Sequence, residues 1–238
     1  MKFLEEANFD WLDMLNFVER PFRAKLIPAK VWADLDNYCN DSKGLSNYFK
    51  KWRTRIEFLP CKSKSKLYDK YIAVGGEYDP EKRQCILQIY TLDYSNFKFT
   101  EETWSRFKFK LVQVLMHELV HFMQYDRRCD EWSNYVVPYK KVGKLKIDME
   151  RRYLSEFDEI QAYAHCIWLD YKMFNSSTSV DTLLARSKVK RDSKTLHYIL
   201  KTFNYDYRNN EAIPKVIQQV GKWDRKYHRT IRASRRPK

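Results

Sequence analysis

The sequence predicts an α+β fold in which a small, mainly antiparallel sheet packs on one central helix, with helices before and after it. β-Branched and aromatic runs at 71–76 and 84–91 lie on either side of a turn at Asp79-Pro80, which predicts a β-hairpin. The segment 101–125 contains no Gly or Pro and is largely apolar in its second half, which predicts a long central helix. A hairpin followed by a run of helices is typical of the α+β class.

Further elements are expected before the hairpin. Apolar residues recur at helical spacing over 3–19, which predicts an amphipathic helix that ends before Pro21. A second, shorter helix is expected over 29–38. Residues 53–59 have the composition of a strand and are followed by Pro60, so we expect a strand there.

After the central helix the hydrophobic pattern is less regular. We expect an irregular segment over 127–148, then a helix over 156–174, a Ser/Thr linker at 176–179 and several polar helices. The chain is therefore divided into one larger domain, 1–175, and a helical C-terminal extension with a basic tail, 176–238.

The composition of the 238-residue chain indicates a packed core. Hydrophobic residues make up 44% of the chain and aromatic residues 16%, which excludes a disordered protein. The five cysteines are odd in number and lack C-x-x-C spacing, so neither a disulfide framework nor a zinc ribbon is expected. No stretch approaches the ~18 continuous apolar residues that span a bilayer, and the N-terminus lacks a signal-peptide pattern. We therefore expect no membrane partner and a cytoplasmic location.

The charge is strongly basic and unevenly placed. The formal net charge is +14, and the tail from Lys222 to Lys238 contains eight Lys or Arg residues and one acid, Asp224. Such a balance suits an acidic partner, such as nucleic acid, a phosphate-rich surface or an acidic protein. Trp223 and Tyr227 are interleaved with the basic residues, a mixture that can bind phosphates and stack on bases. A solvated terminus is the alternative interpretation of this tail.

One short motif is typical of a catalytic metal site. It is the HExxH sequence His117-Glu118-Leu119-Val120-His121, within the predicted central helix. Residues at i and i+4 share one face of a helix, so the two imidazoles are placed to bind one tetrahedral metal ion. Glu118 is placed beside that ion, where it can take a proton from a metal-activated water. The motif predicts one zinc ion and a hydrolytic enzyme. A pair of satisfied core histidines is the alternative.

An open zinc site of this kind needs a third protein ligand. On the following predicted helix, Glu159 precedes two small residues, Ala162 and Ala164, which permit close packing on the motif helix. We predict Glu159 as the third ligand. Glu156, one turn earlier, is its rival, and His165 or an aspartate is a weaker alternative.

These motifs resemble a family of small viral and bacteriophage zinc peptidases of the gluzincin kind. The family pattern has a hairpin, an HELxH helix ending in Gln, a segment like Y-[LY]-S-D-P-x-E-I-x-A-Y-A, a Ser-Thr-Leu stretch and a Tyr- and Lys-rich end. The matching parts, between about residues 70 and 230, are 75–80, 117–121 with Gln124, 153–164, 193–196 and 222–228. The chain departs from the pattern at Glu156-Phe157, where the family has Asp-Pro.

The resemblance implies a zincin-like fold and hydrolysis of peptide bonds in a protein or peptide substrate. It also implies Glu118 as the general base, Glu159 as the third zinc ligand and, for a viral source, a place in the host cytoplasm or the virion. The oxyanion formed during hydrolysis needs a hydrogen-bond donor. The candidates are Tyr135, Tyr153, Tyr163 and His165. We predict Tyr163 as this donor, with a packing aromatic as the alternative. We also expect the strand 84–91 to be an edge strand that pairs with substrate, and a plain structural strand is the alternative.

Two other functions are open at this point. The first is a DNA-associated protease of the SprT-like sort, recruited by the basic tail, although that class usually has a third His ligand. The second is a nucleic-acid-binding or virion structural protein that keeps a zincin fold, with zinc as a staple. Glu118 argues against the second, because a structural site needs no base and is usually closed by four protein ligands.

Overall fold

A computed structural model describes residues 53–60, 72–91, 101–127, 144–174, 193–206 and 210–234. The chain divides into two compact units, Met1–Asp130 and Glu131–Lys238, called unit 1 and unit 2 below. The helices predicted over 3–19 and 29–38 and the linker at 176–179 lie outside the described residues. The predicted division after residue 175, which separates a catalytic domain from a C-terminal extension, stays a prediction.

The described part of unit 1 contains a three-stranded sheet. Its strands are β1 (Thr54–Pro60), β2 (Ile72–Asp79) and β3 (Gln84–Thr91), in the order β1-β3-β2. The predicted hairpin is confirmed, since β2 and β3 pair in antiparallel fashion. The turn between them is held by Asp79, whose side chain accepts hydrogen bonds from the backbone N–H of Lys82 at 3.0 Å and from its Nζ at 2.9 Å.

Strand β1 corrects the predicted sheet, which is mixed rather than mainly antiparallel, because β1 pairs with β3 in parallel. Two reversals of chain direction separate β1 from β3, so this pairing is parallel, whereas pairing with β2 would have been antiparallel. The correction also removes the predicted substrate-binding role of the strand 84–91 as an edge strand. Both sides of β3 are already hydrogen-bonded, to β1 and to β2.

The long helix α1 (Glu101–Arg127) packs on β2 and β3, as predicted for the central helix. It has no helix-breaking residue, and nearly every residue from 111 to 124 is buried, as expected of a central helix. The core of unit 1 is formed by apolar side chains of the helix and sheet, among them Ile56, Leu87, Ile89, Leu111, Leu115 and Leu119. Burial of this kind stabilises a helix far more than its propensity does.

The described part of unit 2 is helical. Its helices are α2 (Lys144–Ser155), α3 (Phe157–Phe174), α4 (Lys194–Thr202) and α5 (Ala212–Ser234). Helix α3 confirms the prediction over 156–174, and it packs along α5. Residue Glu156 separates α2 from α3: its N–H donates to the carbonyl of Tyr153 at 3.1 Å, and its carbonyl accepts from the N–H of Ile160 at 2.9 Å.

Helix α2 replaces the end of the segment predicted as irregular over 127–148. The sequence conceals this helix because its apolar residues at 145, 147 and 149 alternate, which is the period of a strand. None of the helices in the part of the chain that the structure describes combines the length and the hydropathy needed to span a bilayer.

Two groups of buried polar side chains in unit 2 are paired. Between α3 and α5, Lys172 Nζ lies 2.8 Å from Asp224 Oδ1, and the same oxygen accepts from Trp168 Nε1 at 3.3 Å. At the start of α4, Asp170 Oδ2 accepts a hydrogen bond from Ser193 Oγ at 2.6 Å. Pairing of this kind offsets the cost of removing charged groups from water.

Candidate metal centre

Helix α1 places the two motif histidines one turn apart on the same side. The Nε2 atoms of His117 and His121 are 3.2 Å apart, and the ring centroids are separated by 4.8 Å. Two nitrogens bound to one tetrahedral zinc at ~2.0–2.1 Å would lie roughly 3.3 Å apart. The observed spacing therefore fits two imidazoles that share one ion.

The orientation of His121 is fixed by Gln124, one turn further along α1. Gln124 Oε1 lies 2.9 Å from Nδ1 of His121 and accepts a hydrogen bond from it, and both side chains are buried. With the proton on Nδ1, the lone pair of the ring is on Nε2, the nitrogen that faces His117. A hydrogen bond on the far nitrogen is the usual way in which a metal-binding histidine is oriented. This role of Gln124 was not among the predictions from the sequence, although its i+3 spacing from His121 could have suggested it.

Glu118 is buried, with 5% of its surface exposed, and it lies against the backbone of β2. A Cβ atom added to Gly76 would be 2.9 Å from both Cγ and Oε1 of Glu118, and 2.5 Å from Cγ1 of Val114. Only glycine leaves room for the carboxylate at this position. The backbone of β2 therefore approaches α1 closely at Gly76, and this approach limits the positions that the motif glutamate can take.

The charge of Glu118 acts on the neighbouring strand β3. Burial raises the pKa of the Cys85 thiol well above its ordinary value, and the nearby carboxylate of Glu118 raises it further. A hydrogen bond with Thr54 acts in the opposite direction. The interior around Glu118 is therefore a low-dielectric region in which a charge has a large effect.

The predicted third ligand, Glu159, lies in the first turn of α3 in unit 2 and is 8% exposed. Its rival Glu156 lies at the bend before α3 and is half-buried. Burial of a carboxylate is costly unless a cation, a metal or hydrogen bonds compensate it, so burial favours Glu159 over Glu156 as a ligand. With His117 and His121 it makes up a candidate metal-binding triad.

Two other predicted residues of unit 2 have aromatic neighbours. Tyr163, one helical turn after Glu159, lies between two tyrosines, with ring centroids 6.5 Å from Tyr153 and 6.4 Å from Tyr198. His165 is 3% exposed and packs against two tryptophans, described further below. This environment favours a packing role for His165. Tyr135 lies outside the described residues.

No family model matches the chain, and neither a curated protein nor a solved structure shows significant similarity to it. Membership of the gluzincin-like family therefore stays a prediction from the motifs. The functional interpretation depends on the residues themselves: their chemistry, their spacing and their burial.

Proposed function

We propose that this protein is a zinc-dependent metallopeptidase with a zincin-like catalytic domain. The observation that carries the proposal is the arrangement of the motif side chains on α1. Two imidazole nitrogens lie 3.2 Å apart, one of the rings is oriented by Gln124, and the buried Glu118 lies beside them in sequence. A merely structural pair of histidines requires neither the adjacent buried acid nor the glycine that accommodates it.

In this proposal His117, His121 and Glu159 bind one zinc ion. Two imidazoles and a carboxylate are a common protein ligand set for catalytic zinc, and they leave a coordination position open for water or substrate. When bound, the ion would lower the pKa of a water molecule to about 7 and polarise the peptide carbonyl.

Glu118 would act as the general base. Its carboxylate takes a proton from the attacking water and then delivers it to the amide nitrogen of the leaving group. The backbone of β2 at Gly76 keeps the carboxylate in one place, which reduces the reorganisation needed at each proton transfer. Burial strengthens the interaction of this carboxylate with positive charge, and the raised pKa of Cys85 reflects the same low-dielectric surroundings.

Tyr163 would donate a hydrogen bond to the oxyanion formed at the substrate carbonyl. It follows Glu159 by one helical turn and therefore shares its side of α3. The rings of Tyr153 and Tyr198 lie 6.5 and 6.4 Å from its ring, centroid to centroid, and would help to position the hydroxyl. A hydroxyl held in one orientation stabilises developing charge at little cost in entropy.

Cleavage of an unfolded protein mixture tests this proposal, with new amino termini identified by mass spectrometry. We expect zinc-loaded wild-type protein to cleave, a chelator to stop cleavage and added zinc to restore it. Glu118→Gln should lower the rate by at least about 100-fold while the protein still binds zinc. Glu77→Gln on β2 is the matched control, because Glu77 is exposed, and it should cleave like the wild type. Equal rates for Glu118→Gln and the wild type would refute the assignment of the base.

A further inference from the structure

Helix α5 has two different sides. Its inner side carries apolar residues that are buried in unit 2, namely Ile213, Val216 and Val220. Its outer side carries the exposed residues Lys215, Gln218, Lys222, Arg225 and Lys226. The first four positions are three or four residues apart, and Lys226 follows Lys222 by four, so they form one stripe, which extends over about 16 Å at 1.5 Å per residue.

The one acidic residue between 212 and 238, Asp224, lies on the inner side of the helix. It binds Lys172 of α3 at 2.8 Å and accepts a hydrogen bond from Trp168. Its negative charge is thus used inside unit 2, where it balances a buried lysine. The last three exposed residues of the outer stripe are consequently all cations. We call Lys222, Arg225 and Lys226 the basic face.

The two aromatic residues interleaved with these cations pack inward. Trp223 donates from Nε1 to the carbonyl of Gln161 at 3.3 Å, and its ring lies 4.7 Å from that of His165. The ring of Tyr227 lies 5.1 Å from that of Trp168. These contacts favour a structural role for both rings over the stacking on bases that the sequence suggested. The outer surface of the helix is therefore mainly charged. Positive charges bind phosphates but do not distinguish one base from another.

We propose that the basic face of α5 binds the phosphate backbone of nucleic acid, without sequence preference. The helix continues to Ser234, and the sequence has Arg229 and Arg232 seven residues after Lys222 and Arg225. The exposed cations Lys222, Arg225 and Lys226 along one side of a helix are complementary to the row of phosphates in a nucleic-acid backbone. This inference does not depend on the metal centre.

The chemistry of the face favours nucleic acid over a membrane. Helices that bind lipid surfaces place large apolar side chains in the interface beside their cations. Among the described residues, the exposed large hydrophobic side chains are Ile147, Phe157, Tyr198 and Tyr205. None of these four belongs to α5, so the face offers lipids only electrostatic attraction.

Fluorescence anisotropy with short labelled DNA duplexes of two unrelated sequences tests the proposal on the full chain. We expect similar affinity for both duplexes and a steep decrease of affinity with salt. The double variant Lys222→Glu/Arg225→Glu should weaken binding at least about tenfold and reduce the log–log salt slope by about 2. The matched control is Lys194→Glu/Lys201→Glu, which changes the net charge equally at two exposed lysines of α4.

The control should bind DNA within about twofold of the wild type, because charges outside the basic face act on the phosphates only through a screened field. Circular dichroism melting curves establish that both double variants are folded. Equal weakening by the two double variants would overturn the proposal in favour of a net-charge effect, and so would wild-type affinity in the α5 variant. Binding of the wild type to phosphatidylserine vesicles or polyglutamate as tightly as to DNA would overturn it in favour of a lipid or an acidic protein. None of these measurements involves the peptidase assay, so the failure of this proposal can be distinguished from the failure of the proposed function.

Discussion

Two buried histidines, one in each unit, have opposite surroundings. In unit 1, His121 is hydrogen-bonded at Nδ1 by Gln124, and its Nε2 lies 3.2 Å from Nε2 of His117. In unit 2, the ring of His165 lies 5.3 Å from that of Trp168 and 4.7 Å from that of Trp223. Residue type and burial are therefore the same, and the neighbours distinguish them. Polar neighbours orient the first imidazole so that it can bind an ion. The second imidazole packs against aromatic rings as part of the core.

Two buried acids, one in each unit, differ in the same way. Asp224 in unit 2 is paired with Lys172, so its charge is balanced within the helix pair. Glu118 in unit 1 lies against a glycine and beside the motif histidines in sequence. A buried ion pair is an ordinary structural device. A buried acid for which the backbone leaves a dedicated space, next to two candidate ligands, is typical of a catalytic site.

Replacement of His121 and, separately, of His165 by alanine should give the largest difference between the two units. His121→Ala removes a ligand, so we expect the protein to lose its zinc and all peptidase activity. His165→Ala should keep zinc and activity but lower the free energy of unfolding by about 3 kcal/mol, because it leaves a cavity between two tryptophans. Elemental analysis measures the zinc content of each variant, and urea unfolding measures its free energy of unfolding. Loss of zinc in His165→Ala with a folded protein would reverse our assignment of the two residues.

The two adjacent glycines of β2 provide the next test. Gly76→Ala should lower activity by about 100-fold, since a Cβ atom 2.9 Å from Oε1 of Glu118 must displace the carboxylate. Gly75→Ala is the matched control. Its Cβ would lie 3.2 Å from Cε2 of Tyr90, and a small movement of that ring relieves the contact. Equal activity in the two variants would show that the position of Glu118 does not depend on Gly76.

Removal of the hydrogen bond to His121 should have a smaller effect. Gln124→Leu should weaken zinc binding by about tenfold, because the imidazole is then no longer oriented by an acceptor on Nδ1. Gln124→Glu keeps an acceptor and should retain most of the affinity. Competition with a coloured zinc chelator measures both variants. If Gln124→Leu binds zinc like the wild type, the ring is oriented by packing alone.

Cys85 gives the smallest expected effect. Burial raises the pKa of its thiol in the folded protein, so only the unfolded state ionises as the pH passes the ordinary value of 9.0. The contribution of this thiol to the free energy of unfolding is therefore fully present below that pH and decreases above it. One pH unit above 9.0, the wild type should have lost about 1.4 kcal/mol more than Cys85→Ala, relative to neutral pH. Parallel pH profiles in urea unfolding would contradict the raised pKa.

Local patterns were sufficient to predict part of the molecule. The spacing of His117 and His121 depends only on the geometry of one helix, and the β2–β3 hairpin depends on a short turn, so both follow from neighbouring residues. The partner of β1 and the inward orientation of Trp223 depend on contacts between distant segments, which no local period contains. The role of Gln124 lies between these cases, because its spacing was visible but its hydrogen bond was not.

The central claim is that His117, His121 and Glu159 bind one zinc ion, and zinc content by elemental analysis tests it most directly. Wild type, Glu159→Ala and Glu156→Ala would each be purified without added metal. We predict one zinc per chain in the wild type and in Glu156→Ala, and loss of zinc in Glu159→Ala. Folded wild-type protein that takes up no zinc even when it is supplied would contradict the claim.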